Sequence, residues 1–360
     1  MFILQRYIGI SVVRGFFLLA LIIVSLFSII LLIDELDQVG TGSYTWWLAI
    51  KYVFYHMPKI LLDFAAFISL VGSIIALGSL ASNHELIAAE SVGVSPQDVV
   101  KAVLSAALLL MILVMMNAQF VIPVTLQSAY IEKTLAIEGQ GEFVSESGYW
   151  AQNNHRFIHI RDVESGRIPI DVEIFEFNDQ YELQQYYFAK KVLLTTNQSW
   201  ELQNVTVKKL VDGKLEITTV DNLTWDSFLS TNQLNVIVSK PEALSISNLY
   251  HYVEGLKQRG EQSYRFELLF WQKVTTPISA AIMILLGMPF VFGSQRSMSV
   301  GKRITLGVLA GIAFYVVTQI ITHTGTSLQW MPFLVAILPA ILVFTLLVLI
   351  RCKAKYNYAC

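Results

Sequence analysis

Phe16-Phe-Leu-Leu-Ala-Leu-Ile-Ile-Val-Ser-Leu-Phe-Ser-Ile-Ile-Leu-Leu-Ile33 decides the fold class. The run carries no charge between Arg14 and Asp34. Crossing ~30 Å of hydrocarbon takes roughly 20 apolar residues in a helix, because lipid offers no partner to an unpaired backbone N–H or C=O. Arg6 and Arg14 ahead of such a run also resemble the start of a secretory signal. The apolar segment 10–33 is too long for that, and no small-x-small cleavage pattern precedes Asp34, so a retained first span is expected. Five further segments have the same character: 55–80, 99–122, 268–292, 304–323 and 331–350.

Working outward, the whole chain of 360 residues is 54% hydrophobic and 14% charged, where soluble domains carry roughly 25% charge. That excludes a disordered chain and an ordinary soluble enzyme. Residues 123–264 hold 19 of the 27 acidic and 12 of the 25 basic residues, a net −7 that leaves +5 on the remainder. The layout is therefore three spans, a watery acidic insert, and three spans. Lysine and arginine in the short loops set orientation. Arg6, Arg296, Lys302, Arg303, Arg351, Lys353 and Lys355 mark one side together with the 81–98 loop, while the 34–54 loop offers Asp34, Glu35 and Asp37 against Lys51. The basic side, with both termini, is expected in the cytoplasm and the insert outside it.

The insert reads as strands. His155–Ile160, Ile168–Phe177 and Val205–Leu210 alternate in polarity, with one break in the second, and Asn153-Asn154, Asn178-Asp179 and Asp212-Gly213 punctuate them. Short strands at hairpin spacing predict an antiparallel sandwich or jelly roll. Cys352 and Cys360 are the two cysteines, so no disulfide staples the insert.

Signatures of catalysis are missing: no H-E-x-x-H, C-x-x-C or G-x-S-x-G occurs, and Gly301-Lys302 is followed by Arg303 without the glycine spacing of a phosphate loop. His155 and His159 share a strand face rather than forming a metal set. No basic patch with interleaved aromatics points to nucleic acid. Transport or assembly, with no cofactor in the chain, is the expectation.

The most informative short segment is Ala81-Ser-Asn-His-Glu-Leu-Ile-Ala-Ala-Glu-Ser-Val-Gly-Val-Ser-Pro-Gln-Asp98. Asn83 can cap a short helix over 84–91 with Glu85 in its first turn, Gly93 can stop it in the left-handed region, and Ser95-Pro96-Gln97-Asp98 restarts a helix. An interfacial connector lying on a leaflet of anionic headgroups should be basic, whereas this loop shows Glu85 and Glu90 and no cation before Lys101. A protein partner, reached by a coupling helix, fits it better.

Five motifs in order resemble one family. Arg6-Tyr7-Ile8-Gly9, Gly42-Ser43-Tyr44, Leu80-Ala-Ser-Asn-His-Glu85-Leu86 with Gly93, Glu242-Ala-Leu-Ser-Ile-Ser247, and Phe292-Gly293-x-x-Arg296-Ser297 are similar to the lipopolysaccharide export permeases LptF and LptG, the first and fourth more to the LptG branch. The resemblance implies an α-helical membrane protein with six transmembrane helices (3 + 3) and an inserted periplasmic all-β jelly roll. Residues 1–122 would hold spans one to three and the coupling helix 84–91, 123–264 the periplasmic domain, and 265–360 spans four to six with a cytoplasmic tail. It further implies an inner-membrane permease half of an ATP-binding-cassette exporter that extracts lipopolysaccharide and passes it to a periplasmic bridge. Its partners would be an LptF-like permease, two LptB-like ATPase copies that bind ATP and Mg, and an LptC-like single-span protein. The other reading is a mechanotransmission subunit that such an ATPase drives without carrying lipid itself.

Site residues follow from the same resemblance. Glu85, with Leu86, Ala89, Glu90 and Gly93 around it, would meet the ATPase. Phosphates of the lipid need cations near the outer mouth and its acyl chains need an apolar lumen. Lys59 (in Pro58-Lys59) and Lys133 match basic family positions, and Lys51 is added from its location. Lys59 can equally pair with Asp63 one turn on, and Lys51 can snorkel at the interface. Phe27, Phe64, Phe67, Phe314 and Tyr315 are candidates for the lumen or for ordinary helix packing. Where family members carry lysines at the outer end of span one, this chain has Leu31, Asp37 and Gln38, and a neighbouring basic position is Tyr130. Leu31 joins the apolar lining, and more of the phosphate contacts are expected from the partner permease.

Overall fold

The computed structural model describes residues 2–91, 93, 95–138, 149–153, 155–164, 168–180, 182–194, 199–211, 214–227, 241–258, 262–292 and 300–357. Gly293, Arg296 and Ser297 of the fifth motif, and Cys360, lie outside the described residues. Among the described residues, six helices are long and apolar enough to cross a membrane: Ile3–Leu36, Ala65–Ser82, Gln97–Lys133, Tyr264–Val291, Gly301–Ser327 and Pro332–Leu349. The chain divides into two compact units.

The first unit comprises Met1–Ile33, His56–Ile122 and Glu267–Cys360. It draws on α1 (Phe2–Leu36), α2 (Trp46–Asp63), α3 (Ala65–Ser82), α4 (Glu85–Ser91), α5 (Pro96–Met116), α8 (Tyr264–Gly287), α9 (Pro289–Phe292), α10 (Val300–Ser327) and α11 (Pro332–Asn357). The expected span 55–80 is two helices, because Phe64 leaves the helical region at φ −101°, ψ 7°. Helix α3 is apolar all round and buried on nearly every face, which is how such a helix avoids a wasted polar side. Its Ala66, Leu70 and Ile74 pack with Met283 and Leu286 of α8 and with Val343 and Leu347 of α11. Lipid is as apolar as leucine, so close backbone approach holds helices together there. Gly72 of α3 provides one such approach: a Cβ on it would sit 2.9 Å from the carbonyl oxygen of Gly15 in α1. Large apolar side chains such as Leu18, Leu21, Ile29, Leu108, Ile320 and Leu349 stay exposed, as a surface facing lipid or partner helices requires.

The second unit comprises Asp34–Tyr55 and Pro123–Phe266. The insert is not strands throughout. Helix α6 (Ile122–Glu138) follows α5 through the π-turn Asn117–Val121, and α7 (Ile246–Gln258) precedes α8. Between them β1 (Tyr149–Asn153), β2 (Arg156–Glu164), β3 (Ile168–Phe177), β4 (Leu183–Leu194), β5 (Ser199–Val211) and β6 (Lys214–Asp226) form one six-stranded sheet in sequential order. Every pairing is antiparallel. One face is buried: Ile158 opposes Ile174, Val172 opposes Ala189, and Trp200 opposes Trp225. Asp171 of β3 takes φ +48° between the pairs Ile160–Val172 and Asp162–Ile170, which stay in one register. The register of β3 shifts instead against β4, between Glu176 and Phe177, an irregularity of the β-bulge kind near the end of the strand.

Candidate functional site

Three clusters hold the residues singled out from the sequence. The first is α4. Ser95 caps α5 by accepting from the Asp98 N–H at 3.3 Å, and Asp98 accepts from the Ser95 N–H at 3.3 Å, a reciprocal box with Pro96 in the first turn. Left-handed backbone stands on either side of α4, at His84 (φ +60°) and Gly93 (φ +92°). Asn83 does not act as a simple cap: its amide donates to Glu85 Oε1 at 3.4 Å. Glu85 Oε2 also accepts from the Tyr7 hydroxyl at 2.9 Å, which ties the loop to the first turns of α1. Ala89 is buried, and the side chains of Leu86 and Glu90 lie outside the described residues.

The second cluster is aromatic. The ring of Phe27 on α1 stacks on Phe64 at 4.1 Å between centroids, and Phe64 stacks on Tyr315 of α10 at 6.1 Å. Tyr315 is exposed, while Phe27, Phe64 and Leu31 are half-buried. Phe67 lies over Gly311, where an added Cβ would meet its ring edge at 2.6 Å. Phe314 instead packs against the α3–α8–α11 core. Three of the five aromatic candidates therefore form one stack, and the other two flank it as packing. Lys59 belongs to the same unit and forms its i,i+4 ion pair with Asp63 at 2.7 Å.

The third cluster lies in the second unit, around Glu35. The Gly42-Ser43-Tyr44 turn docks on the last turn of α6. The Ser43 N–H donates to the Ala136 carbonyl at 2.6 Å and its hydroxyl to the same oxygen at 2.9 Å. Gly42 takes φ +56° with a Cβ position only 2.6 Å from that oxygen, so a side chain fits neither the torsion nor the space. Tyr44 then reaches Glu35, its hydroxyl donating to Oε2 at 2.9 Å. Lys133 donates to the other oxygen at 2.7 Å and lies over the Tyr52 ring at 4.6 Å. Tyr130, at the place of a basic family position, packs edge-on against Tyr52 at 6.2 Å. Burial and the Glu35 carboxylate push the Tyr44 hydroxyl well above its ordinary pKa, and burial does the same for Tyr52. Lys51 donates to Glu132 at 2.7 Å, a bond that raises its pKa although the pair is largely solvated.

Each of the three lysines proposed to meet phosphate thus already holds a carboxylate: Asp63, Glu35 or Glu132. Among the described residues no group of three His, Cys, Asp or Glu side chains gathers around a point that would suit a metal ion.

The family model for the lipopolysaccharide export system permease LptF/LptG matches residues 6–353. The chain belongs to that family. Among LptF/LptG-family proteins, it is 34% identical over 342 residues to the lipopolysaccharide export system permease protein LptG of Haemophilus influenzae, covering 94% of this chain and 95% of the relative. It is 31% identical over 341 residues to the protein of the same name from Escherichia coli K12, covering 94% of each. For this LptF/LptG-family chain, the sequence reading passed over the carboxylate partners Glu35 and Glu132. Glu35 and Lys133 are 98 residues apart, so only the fold brings them together. Pairing of Lys59 with Asp63 was legible from their helical spacing.

Proposed function

We propose that this chain is one permease half of an ATP-binding-cassette exporter of lipopolysaccharide, seated in a bacterial inner membrane with its termini in the cytoplasm. Family membership from residue 6 to residue 353 carries the reading. Six membrane-length helices and a separate antiparallel sheet support it. In this reading the sheet belongs to a periplasmic jelly roll that hands lipid to a periplasmic bridge. An LptF-like permease, two LptB-like ATPases and an LptC-like single-span protein complete the complex. The chain itself performs no chemistry.

Helix α4 is the coupling helix, with Glu85, Leu86, Ala89 and Glu90 on it and Gly93 beyond its end. ATP-driven movement of the partner displaces α4 and changes the width of the lumen. Phe27, Leu31, Phe64, Phe67, Phe314 and Tyr315 offer acyl chains an apolar surface, of which the exposed Tyr315 is the most accessible. Lys59, Lys133 and Lys51 meet lipid phosphates by exchange: a phosphate bearing more negative charge than one carboxylate displaces Asp63, Glu35 or Glu132 from its lysine. Such exchange keeps every cation compensated when the lumen is empty.

Purifying the native complex from its own membranes tests the reading. Recovery of an ATPase subunit and of lipopolysaccharide in stoichiometric amounts is expected. A complex that brings an ATPase but no lipopolysaccharide would overturn the transport role.

A further inference from the structure

A groove of about 640 Å³ lies between the first turns of α1 and α5, both in the first unit. Its floor is made of small residues, Gly9 against Ala102 and Ala106; a Cβ added to Gly9 would rest at ordinary contact distance, 3.5 Å, from the Ala102 carbonyl oxygen. Its walls are apolar and open, with Ile10, Phe17 and Leu109 each about half exposed or less. Along its rim stand Arg6, Arg14 and Lys101.

The charge around the groove is unbalanced. Lys101 is 3.5 Å from Asp98, whose carboxylate also serves the Ser95 cap and accepts from Gln5. Arg6 and Arg14 are exposed and form no ion pair among the described residues. Depth gives this meaning. Arg14 and Asp34 are 20 residues apart on one helix, or ~30 Å, the thickness of the hydrocarbon. Arg14 therefore lies at the headgroup level of the leaflet around the helix starts, with Arg6 two turns further toward water.

We propose that this groove binds an anionic glycerophospholipid of that leaflet. Its phosphodiester sits between Arg6, Arg14 and Lys101, beside the Gly9–Ala102 floor, and one acyl chain runs deeper along Phe17 and Leu109. A net-positive rim selects a net-negative headgroup over a zwitterionic one. It also disfavours an apolar partner helix, which would bury three cations against one carboxylate. The site is separate from the aromatic stack at Phe27–Phe64–Tyr315 and does not depend on what the permease carries.

The test uses the full chain in the complex extracted from membranes, with retained lipid counted by native mass spectrometry. Phosphatidylglycerol is expected to be retained and phosphatidylcholine of the same chains is not. Arg6→Gln with Arg14→Gln should weaken phosphatidylglycerol retention about thirtyfold. Excess glycerol 3-phosphate should not compete, because the apolar walls at Phe17 and Leu109 bind acyl chain. A benzophenone at exposed Leu109, in an otherwise wild-type chain, should crosslink phosphatidylglycerol, and this arm decides the matter even when the charge variant does not insert. Equal retention of both lipids, full competition by glycerol 3-phosphate, or a crosslink to protein or lipopolysaccharide would each overturn the proposal.

Discussion

The Gly42-Ser43-Tyr44 turn and the His84-Glu85 loop are both motif segments, yet they use their polar groups in opposite ways. In the first, every group is consumed inside its own unit: Ser43 on Ala136, Tyr44 on Glu35, Glu35 on Lys133. In the second, Glu85 takes solvent-facing bonds from Tyr7 and Asn83 and leaves its helix on the surface. A short motif can therefore record either a folding requirement or a surface kept for something else. Burial separates the two: Glu35 is 4% exposed, while Glu85 is only half-buried.

Breaking the buried member should have the largest effect. Glu35→Gln strands Lys133 and is expected to cost about 2 kcal/mol, read from the denaturant midpoint of the purified chain by tryptophan fluorescence. Pairing Glu35→Leu with Lys133→Met should restore most of it; a silent single variant would move Glu35 into the surface class. Glu85→Lys comes next and should leave that midpoint unchanged. Stimulated ATPase activity of the complex should fall at least tenfold, and undiminished stimulation would remove α4 from the coupling role.

Lys59→Glu sharpens the comparison between cations that fold and cations that bind. It should lower lipopolysaccharide crosslinking from a probe at Tyr315 severalfold, and an unchanged yield would leave the Asp63 pair as the whole role of Lys59. A smaller effect is expected at acid pH. Burial works to raise the pKa of Glu173, but bonds from His159 at 2.8 Å and Tyr186 at 3.1 Å, with the Arg161 charge, outweigh it and hold the carboxylate below its usual range. Burial, with the Glu173 carboxylate, pushes the Tyr186 hydroxyl up to about 12. A depressed carboxylate stabilises above its unfolded pKa of ~4.3 and loses that contribution as pH falls through the lower folded value. The sheet should therefore weaken below about pH 4, and Glu173→Gln should flatten that slope. Least of all, Lys51→Ala removes a solvated pair with Glu132 and should leave the midpoint where it is.

The spans were legible because an uncharged run of twenty residues has few other fates, and β2 and β3 because alternation has a period of two. The insert's helices were missed although α7 carries a clear signal. Ile246, Leu249, Val253 and Leu256 are buried at helical spacing behind the Ser245 hydroxyl, which accepts from the Asn248 N–H. The insert's watery composition drew attention to strands instead. The single break at Phe64 follows from no residue rule, and the lysine partners depend on contacts across distant parts of the chain. Lys59 is the exception, since its partner lies one helical turn away.

Helix α4 hangs between His84 and Gly93, two residues whose backbones turn the opposite way from their neighbours. In mechanical terms it is a stiff rod on two swivels. A push on the rod reaches α3 through Asn83 and His84 and α5 through the segment that holds Gly93, so the two can be driven unequally. Glycine holds its left-handed torsion without cost, whereas histidine holds it at a cost of roughly 1 kcal/mol, and the loop is a linkage with one relaxed pin and one strained one.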